Sequence, residues 1–146
     1  MAKIKKKDTK EKISLQGKQK RGCSCEQYPA FSFRYLTKNS RYNFSYFNTD
    51  TERENARSAL VERIEEITKY PYTYWLGQRK TYGCELFEFW KCKFNPNGLN
   101  MTDDDKVFVF RFCNQDYRMI GIRLDACPTL YIIGLDFDYS AYNHGA

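Results

Sequence analysis

Groups able to move protons or hold an anion gather at the C-terminal end of this chain: Arg111, Arg118, Tyr142 and His144. Cleavage of RNA by attack of its own 2′-hydroxyl requires a group that takes that proton, a group that protonates the leaving 5′-oxygen, and positive charge to stabilise the phosphorane. Arginine suits the last role, because its planar donors grip non-bridging oxygens and stay charged throughout. His144, with an ordinary pKa of about 6.5, can carry one proton transfer. Tyr142, ordinarily at about 10, needs help from Arg111 or Arg118 to do the same. The competing role for Arg118 is a salt bridge to Asp116 or Asp136. With 1 histidine in the chain, two-histidine ribonuclease chemistry is excluded, and no Gly-rich phosphate loop or G-x-S-x-G is present.

A second set lies in residues 72–82, YTYWLGQRKTY, where Tyr74 and Trp75 precede Arg79 and Lys80. Stacking surfaces interleaved with cations are what single-stranded RNA binding uses. The same residues also suit a short helix packed through Trp75 and Leu76, and the sequence leaves both readings open.

The elements that must position these groups follow from periodicity. Apolar runs at 107–112, 119–124 and 130–135, separated by Asn114-Gln115-Asp116 and by 125–128, predict a three-stranded antiparallel meander. Upstream, aromatic residues at a spacing of two predict strands at 31–36 and 42–47, with Phe31, Phe33 and Tyr35 on one face. Asn48 to Thr51 supplies a cap, Glu52 and Glu54 supply first-turn acids, and Ala56, Leu60, Val61, Ile64 and Ile67 recur at helical spacing. This predicts one long amphipathic helix over 51–69, ended by Tyr70-Pro71, with Arg53, Arg57, Glu62, Arg63, Glu65 and Glu66 on its solvated face. Residues 84–90 predict a further strand with Glu85 and Glu88 exposed, and Asn95-Pro96-Asn97-Gly98 marks a turn. The expected fold class is therefore α+β: an antiparallel, aromatic-rich sheet with one long amphipathic helix against a face.

A strand ending in Arg111, a short turn, Tyr117-Arg118-Met119-Ile120, the apolar run 130–135 and the closing Ser140-Ala141-Tyr142 together resemble the C-terminal half of the RelE/ParE toxin superfamily. The likeness covers about a quarter of the chain. It implies a RelE/ParE-like fold and, on the pattern of the family's ribonuclease branch, a metal-independent endoribonuclease that attacks mRNA on the ribosome. Arg111, Arg118, Tyr142 and His144 would be its catalytic residues, with no metal or other cofactor. A protein antitoxin would be the partner. Where ribonuclease members place further basic residues on and after the last strand, this chain has Asp136 and Asp138, which would repel a phosphate. The alternative is a non-catalytic phage or mobile-element protein that binds and inhibits a host nuclease or other host protein.

Composition bounds these readings. At 146 residues and 42% apolar, the chain has the size of one domain with its own core. Its formal charge of +6 is concentrated at the start: residues 1–22 hold nine Lys or Arg and two acids, leaving residues 23–146 at −1. Residues 1–28 are expected to form a disordered basic tail and 29–146 a single domain, so any phosphate affinity implied by charge belongs to the tail. The six cysteines are expected to be reduced thiols, since no apolar leader or membrane-length apolar run precedes or interrupts the domain, and the expected location is cytoplasmic. Cys23-x-Cys25 is tighter than zinc-ligand spacing and lacks a second pair. Asp136 and Asp138, two apart on a strand, project from one face and could hold Mg²⁺ together with Glu85 or Glu88.

Overall fold

The computed structural model describes residues 27–142. Most of the basic tail, the Cys23-x-Cys25 pair and His144 lie outside this range. The Gln27 carbonyl accepts from the Tyr72 amide at 3.0 Å, and its side-chain oxygen accepts from the Arg123 guanidinium.

Among the described residues the strands and α-helices follow in the order strand β1 (Ala30–Ser32), helix α1 (Asp50–Ile67), helix α2 (Tyr72–Leu76), and strands β2 (Cys84–Glu88), β3 (Lys106–Phe112), β4 (Tyr117–Ile122) and β5 (Thr129–Asp136). They build one five-stranded sheet in the order β1-β5-β4-β3-β2. The expected meander is β3-β4-β5, and β2 extends it antiparallel. The sheet is mixed rather than antiparallel throughout, because β1 pairs parallel with β5, Phe31 opposite Leu130.

Side chains alternate between the faces of a strand, so the register sorts the residues into two layers. Phe110, Phe112, Met119, Leu130, Ile132 and Leu135 pack with Leu60, Ile67 and Trp75 from the helices. Val107, Val109, Ile120, Ile122 and Ile133 pack on the other side under Tyr42, Phe89 and Phe94. Both faces of the sheet are therefore covered, one by helices and one by aromatic-rich loops. Burying side chains of this size contributes on the order of 1.5–3 kcal/mol each. On the loop side Phe94 lies directly over Gly134, where a Cβ would stand 2.4 Å from the ring.

α1 starts as its sequence predicts. The Thr49 hydroxyl accepts from the Glu52 amide at 3.2 Å, and Asp50 and Glu52 sit in the first turn, where carboxylates complement the helix dipole. Its inward face is Ala56, Leu60, Arg63 and Ile67. Arg63 was expected in solvent and is instead 9% exposed, whereas Val61, expected inside, is 56% exposed. Arg63 donates to the Arg111 carbonyl at 2.8 Å, to Glu66 at 2.6 Å and to the Tyr82 carbonyl. Its guanidinium also lies 5.2 Å from the Trp75 ring centroid and 5.7 Å from that of Phe110. A long side chain with a flat cation can be buried when its donors are taken up and its faces meet rings.

Two upstream strand expectations fail for one physical reason. Residues 42–47 are not a strand but follow as two 3-10 turns, Ser40–Tyr42 and Phe44–Tyr46. The Asn39 side chain accepts from the Arg41 amide at 3.1 Å and the Asn43 side chain from the Ser45 amide at 2.8 Å. Short amide side chains offer the backbone partners that a sheet ladder would otherwise supply. The aromatic residues still pack, with Phe47 4.6 Å from Phe137 and Tyr42 5.3 Å from Phe94. Likewise β1 ends at Ser32, whose hydroxyl accepts from the Arg34 amide at 3.1 Å. Phe31 and Tyr35 then reach opposite cores, and Phe33 is 45% exposed, so the three do not share a face.

Candidate functional site

The β3-β4 hairpin closes through Asn114 and Gln115, both in the left-handed region (φ 54° and 70°), with the Asp116 amide donating to the Cys113 carbonyl at 3.0 Å. This four-residue connection, Cys113 to Asp116, fixes which residues face one another. Here it sets Arg111 directly opposite Arg118, and β5 then sets Asp136 opposite Arg118. On the far side, β2 pairs Glu85 with Val109, two residues from Arg111 on the same face. Glu85, Arg111, Arg118 and Asp136 thus form a row across four adjacent strands, on the side of the sheet away from the helices.

Two like charges directly opposite one another destabilise a sheet unless something compensates them. The Glu85 carboxylate provides part of that, with its Oε1 4.0 Å from an Arg111 terminal nitrogen. Arg118 donates to the Gln115 carbonyl at 3.0 Å, and its guanidinium carbon lies 4.7 Å from the Tyr139 ring centroid. Capacity nevertheless remains: Arg111 Nε, Arg118 Nε and Glu85 Oε1 are buried without a hydrogen-bond partner. Buried polar groups left in this state are rare. Three of them lie in one row.

Asp136 has a different task from the repulsive one expected of it. Its side chain is fully buried and accepts from the backbone amides of Asp138, Ser140 and Ala141 at 3.3, 3.0 and 3.2 Å. Those bonds fold the chain back after β5, so that Tyr142 bridges to Cys92 and the Ala141 carbonyl accepts from the Lys93 amide at 2.8 Å. Asp138 points to Arg41, whose Nε is 2.9 Å away, and accepts from the Ser140 hydroxyl. The two aspartates are therefore engaged with amides and with Arg41 rather than facing a phosphate. Among the described residues no group of three His, Cys, Asp or Glu side chains converges as a metal site would require.

Tyr142 is brought into the row by this fold-back. It is 6% exposed and its ring centroid is 4.5 Å from that of Phe87. Burial pushes its phenol up to about 12, the Glu85 carboxylate adds to the rise, and a hydrogen bond from the Arg118 guanidinium opposes it. At neutral pH the residue is a protonated phenol held against Arg118, suited to giving a proton and not to taking one. Of the residues the sequence singled out, Arg111, Arg118 and Tyr142 come together, and His144 lies outside the described residues. Glu85 completes the group, whereas the sequence offered it only beside Asp136 and Asp138 for a cation. The signal was parity: Glu85 and Glu88 are three residues apart on a strand, so they cannot share the exposed face assigned to both.

The second set does not form a stacking platform. Trp75 is wholly buried, and its indole N–H donates to the Ile67 carbonyl at 2.8 Å, satisfying one of the orphan acceptors at the end of α1. Tyr74 is half-buried and stacks on Tyr70 at 4.3 Å. Arg79 and Lys80 are exposed beyond α2, and Lys80 lies 3.9 Å from Glu85. Ring and cation here belong to different layers, because the helical spacing turns Trp75 inward. No helix among the described residues is long and apolar enough to cross a membrane. No protein-family model matches the chain, and no curated protein or solved structure matches it.

Proposed function

We propose that the chain is a RelE/ParE-like toxin acting as a metal-independent endoribonuclease, with its reaction centre at Glu85, Arg111, Arg118 and Tyr142. The observation that carries this reading is the facing pair Arg111 and Arg118, each with a buried, unpartnered Nε, beside an unpartnered carboxylate oxygen of Glu85. A phosphodiester would meet the partly exposed Arg111 guanidinium through its non-bridging oxygens, with the charge of the buried Arg118 directly behind it. Glu85 would accept the 2′-hydroxyl proton as that oxygen bonds to phosphorus. Tyr142 would give its proton to the 5′-oxygen as the second bond to phosphorus breaks. The products are a 2′,3′-cyclic phosphate and a 5′-hydroxyl end. The arginines would stabilise the extra negative charge of the phosphorane. Glu85 and Arg111 keep 21% and 17% of their side-chain surface exposed, so the strand would approach from the β2-β3 side.

The test is a rate comparison on single-stranded and ribosome-bound mRNA. Arg118→Ala should cost on the order of 3 kcal/mol of transition-state stabilisation, roughly a hundredfold in rate. Tyr142→Phe should slow the reaction while leaving RNA affinity unchanged. Equal rates in the wild type and both variants would reject the assignment.

A second reading, a non-catalytic inhibitor of a host protein, draws on a specific observation. Residues 27–142 hold 15 Lys or Arg and 15 Asp or Glu, and edge strand β2 and the turn after it carry Leu86 and Trp90 at 45% and 51% exposure. A formally neutral domain with apolar residues beside an open sheet edge suits a protein partner better than a polyanion. Intact RNA in the cleavage assay, with one stable host protein co-purifying, would favour it.

A further inference from the structure

We infer that the protein carries an aromatic cage for a quaternary ammonium group, on the helix side of the sheet and separate from the arginine row. The cavity encloses about 510 Å³ and is lined by Tyr46, Phe47, Asn48, Glu52, Tyr117 and Phe137. Three parts of the fold bring these side chains together. The 3-10 turn Phe44–Tyr46 runs into Phe47, the first turn of α1 sets Glu52, and the sheet supplies Tyr117 at the start of β4 and Phe137 just beyond the end of β5. Tyr117 and Phe137 each stand one residue from a member of the row, Arg118 and Asp136, which face one another across β4 and β5. Successive side chains on a strand point to opposite faces. Phe47, Tyr117 and Phe137 accordingly pack in the layer under the helices, and the cage takes no group from the row.

The rings stand at angles to one another, with Tyr117 at 87° to Phe137 and Phe47 at 90° to Tyr46, and neighbouring centroids are 4.6–6.1 Å apart. Edge-to-face contacts also hold ordinary cores; what separates this cluster is the open space it borders and the charge beside it. Phe47 and Phe137 are 9% and 7% exposed, whereas Tyr46 and Tyr117 are half-buried and Glu52 is exposed. Glu52 Oε1 accepts from the Thr49 hydroxyl at 3.1 Å, and the cations nearest it in sequence, Arg53 and Arg57, pair with Asp50 and Glu54 instead. Arg57 lies 5.2 Å from the Phe44 ring centroid, but among the described residues no cation stands over the four rings that line the cavity. Burial raises the Tyr117 phenol above its ordinary value, and Cys113, Asp116, Glu52 and Tyr46 add to the rise. Surroundings that oppose a phenolate also oppose a phosphate or carboxylate ligand and favour a cation. A primary ammonium would give up hydrogen bonds to water where the rings offer few acceptors. A quaternary one has no N–H to satisfy and presents its charge directly to the ring faces.

The experiment titrates the full chain with choline, with 3,3-dimethylbutan-1-ol, which has the shape of choline without its charge, and with a short peptide carrying either trimethyllysine or unmodified lysine. Binding is read from the NMR shifts of the tyrosine rings. Choline should bind at least about tenfold more tightly than the neutral alcohol. Tyr117→Leu, which keeps apolar bulk but removes a ring face, should weaken choline by about tenfold. Glu52→Gln, which still offers Thr49 an acceptor and preserves the fold should the leucine variant not, should weaken choline by roughly threefold and leave the alcohol unchanged. Tighter binding of the trimethylated peptide than of choline would support the cage and assign it a protein side chain; tighter binding of choline would support it and assign it a small molecule. A wild type that binds choline no better than the alcohol, that binds the unmodified peptide as tightly as either quaternary ligand, or that shifts with none of them would overturn the cage. So would a folded Glu52→Gln protein with unchanged affinity for choline. None of these results bears on the ribonuclease reading, whose residues lie on the other face.

Discussion

Replacing Arg63 by alanine tests how the helix is fastened to the sheet. In the wild type the guanidinium satisfies the Arg111 and Tyr82 carbonyls and pairs with Glu66, while its plane rests among Trp75, Tyr82 and Phe110. Truncation leaves two carbonyls without donors, at roughly 1–3 kcal/mol each. Loss of the pair with Glu66, whose side chain is 45% exposed, adds well under about 1 kcal/mol because solvent screens it. Loss of contact with the rings brings the total to about 3–5 kcal/mol, in the range for breaking a buried, hydrogen-bonded charge. For a domain of this size that lowers the melting temperature by roughly 10–20 °C. Arg63→Met, which restores volume without donors, should recover only the packing share, and Glu66→Ala should shift stability by less than about 1 kcal/mol. The assay is thermal or urea unfolding followed by circular dichroism. An Arg63→Ala protein within about 1 kcal/mol of wild type would show that the carbonyls find other donors and that the guanidinium does not hold α1 on the sheet.

Asp138 and the cysteines give two further tests. Burial raises the Asp138 carboxyl, but the Ser140 hydroxyl and the Arg41 guanidinium outweigh it and hold it below its ordinary value of 3.8. A carboxyl depressed on folding stabilises fully above its unfolded pKa and loses that contribution as pH falls through the folded one. Asp138→Asn should therefore lower the melting temperature near pH 6, and the difference should begin to shrink as pH falls below about 3.8; a difference that stays constant below that pH would mean the ion pair is not responsible. Among Cys84, Cys92, Cys113 and Cys127, all free thiols, burial pushes Cys84 and Cys92 up to about 12, whereas hydrogen bonds around Thr129 lower Cys127. In a Cys23→Ser, Cys25→Ser background Cys127 should react first with a maleimide at pH 7.5, and prior labelling of Cys84 would contradict the burial.

How much of this was legible in the sequence depended on whether the deciding interaction was local. The meander was readable because 107–112, 119–124 and 130–135 carry their own periodicity and the turns between them carry their own signals. The placing of Arg111 and Arg118 at one end of adjacent strands followed from the turn signal Asn114-Gln115-Asp116, and the start of α1 was written in Thr49 and Glu52. The parallel seat of β1 beside β5 was not readable, since a three-residue strand states nothing about its neighbour. Nor was the burial of Arg63, because helical spacing places a position on a face while only the third dimension supplies two carbonyls and three rings to meet it. The run at 42–47 misled because alternating aromatics read the same in a strand and in turns fastened by Asn39 and Asn43. Glu85 was hidden by treating two acids on one strand as equivalent when their parity differs.

The most direct measurement of the central claim is end-group mass spectrometry of mRNA after incubation with the full chain, free and on programmed ribosomes. A parallel sample carries a 2′-deoxynucleotide at the cut position. Transfer to the 2′-oxygen at the Glu85, Arg111, Arg118 and Tyr142 centre predicts fragments ending in a 2′,3′-cyclic phosphate and beginning with a 5′-hydroxyl. It also predicts no cut at the deoxy position and no requirement for a divalent cation. Fragments with 5′-phosphate ends, cleavage that persists at the deoxy position, or RNA left intact in both settings by folded protein would contradict it.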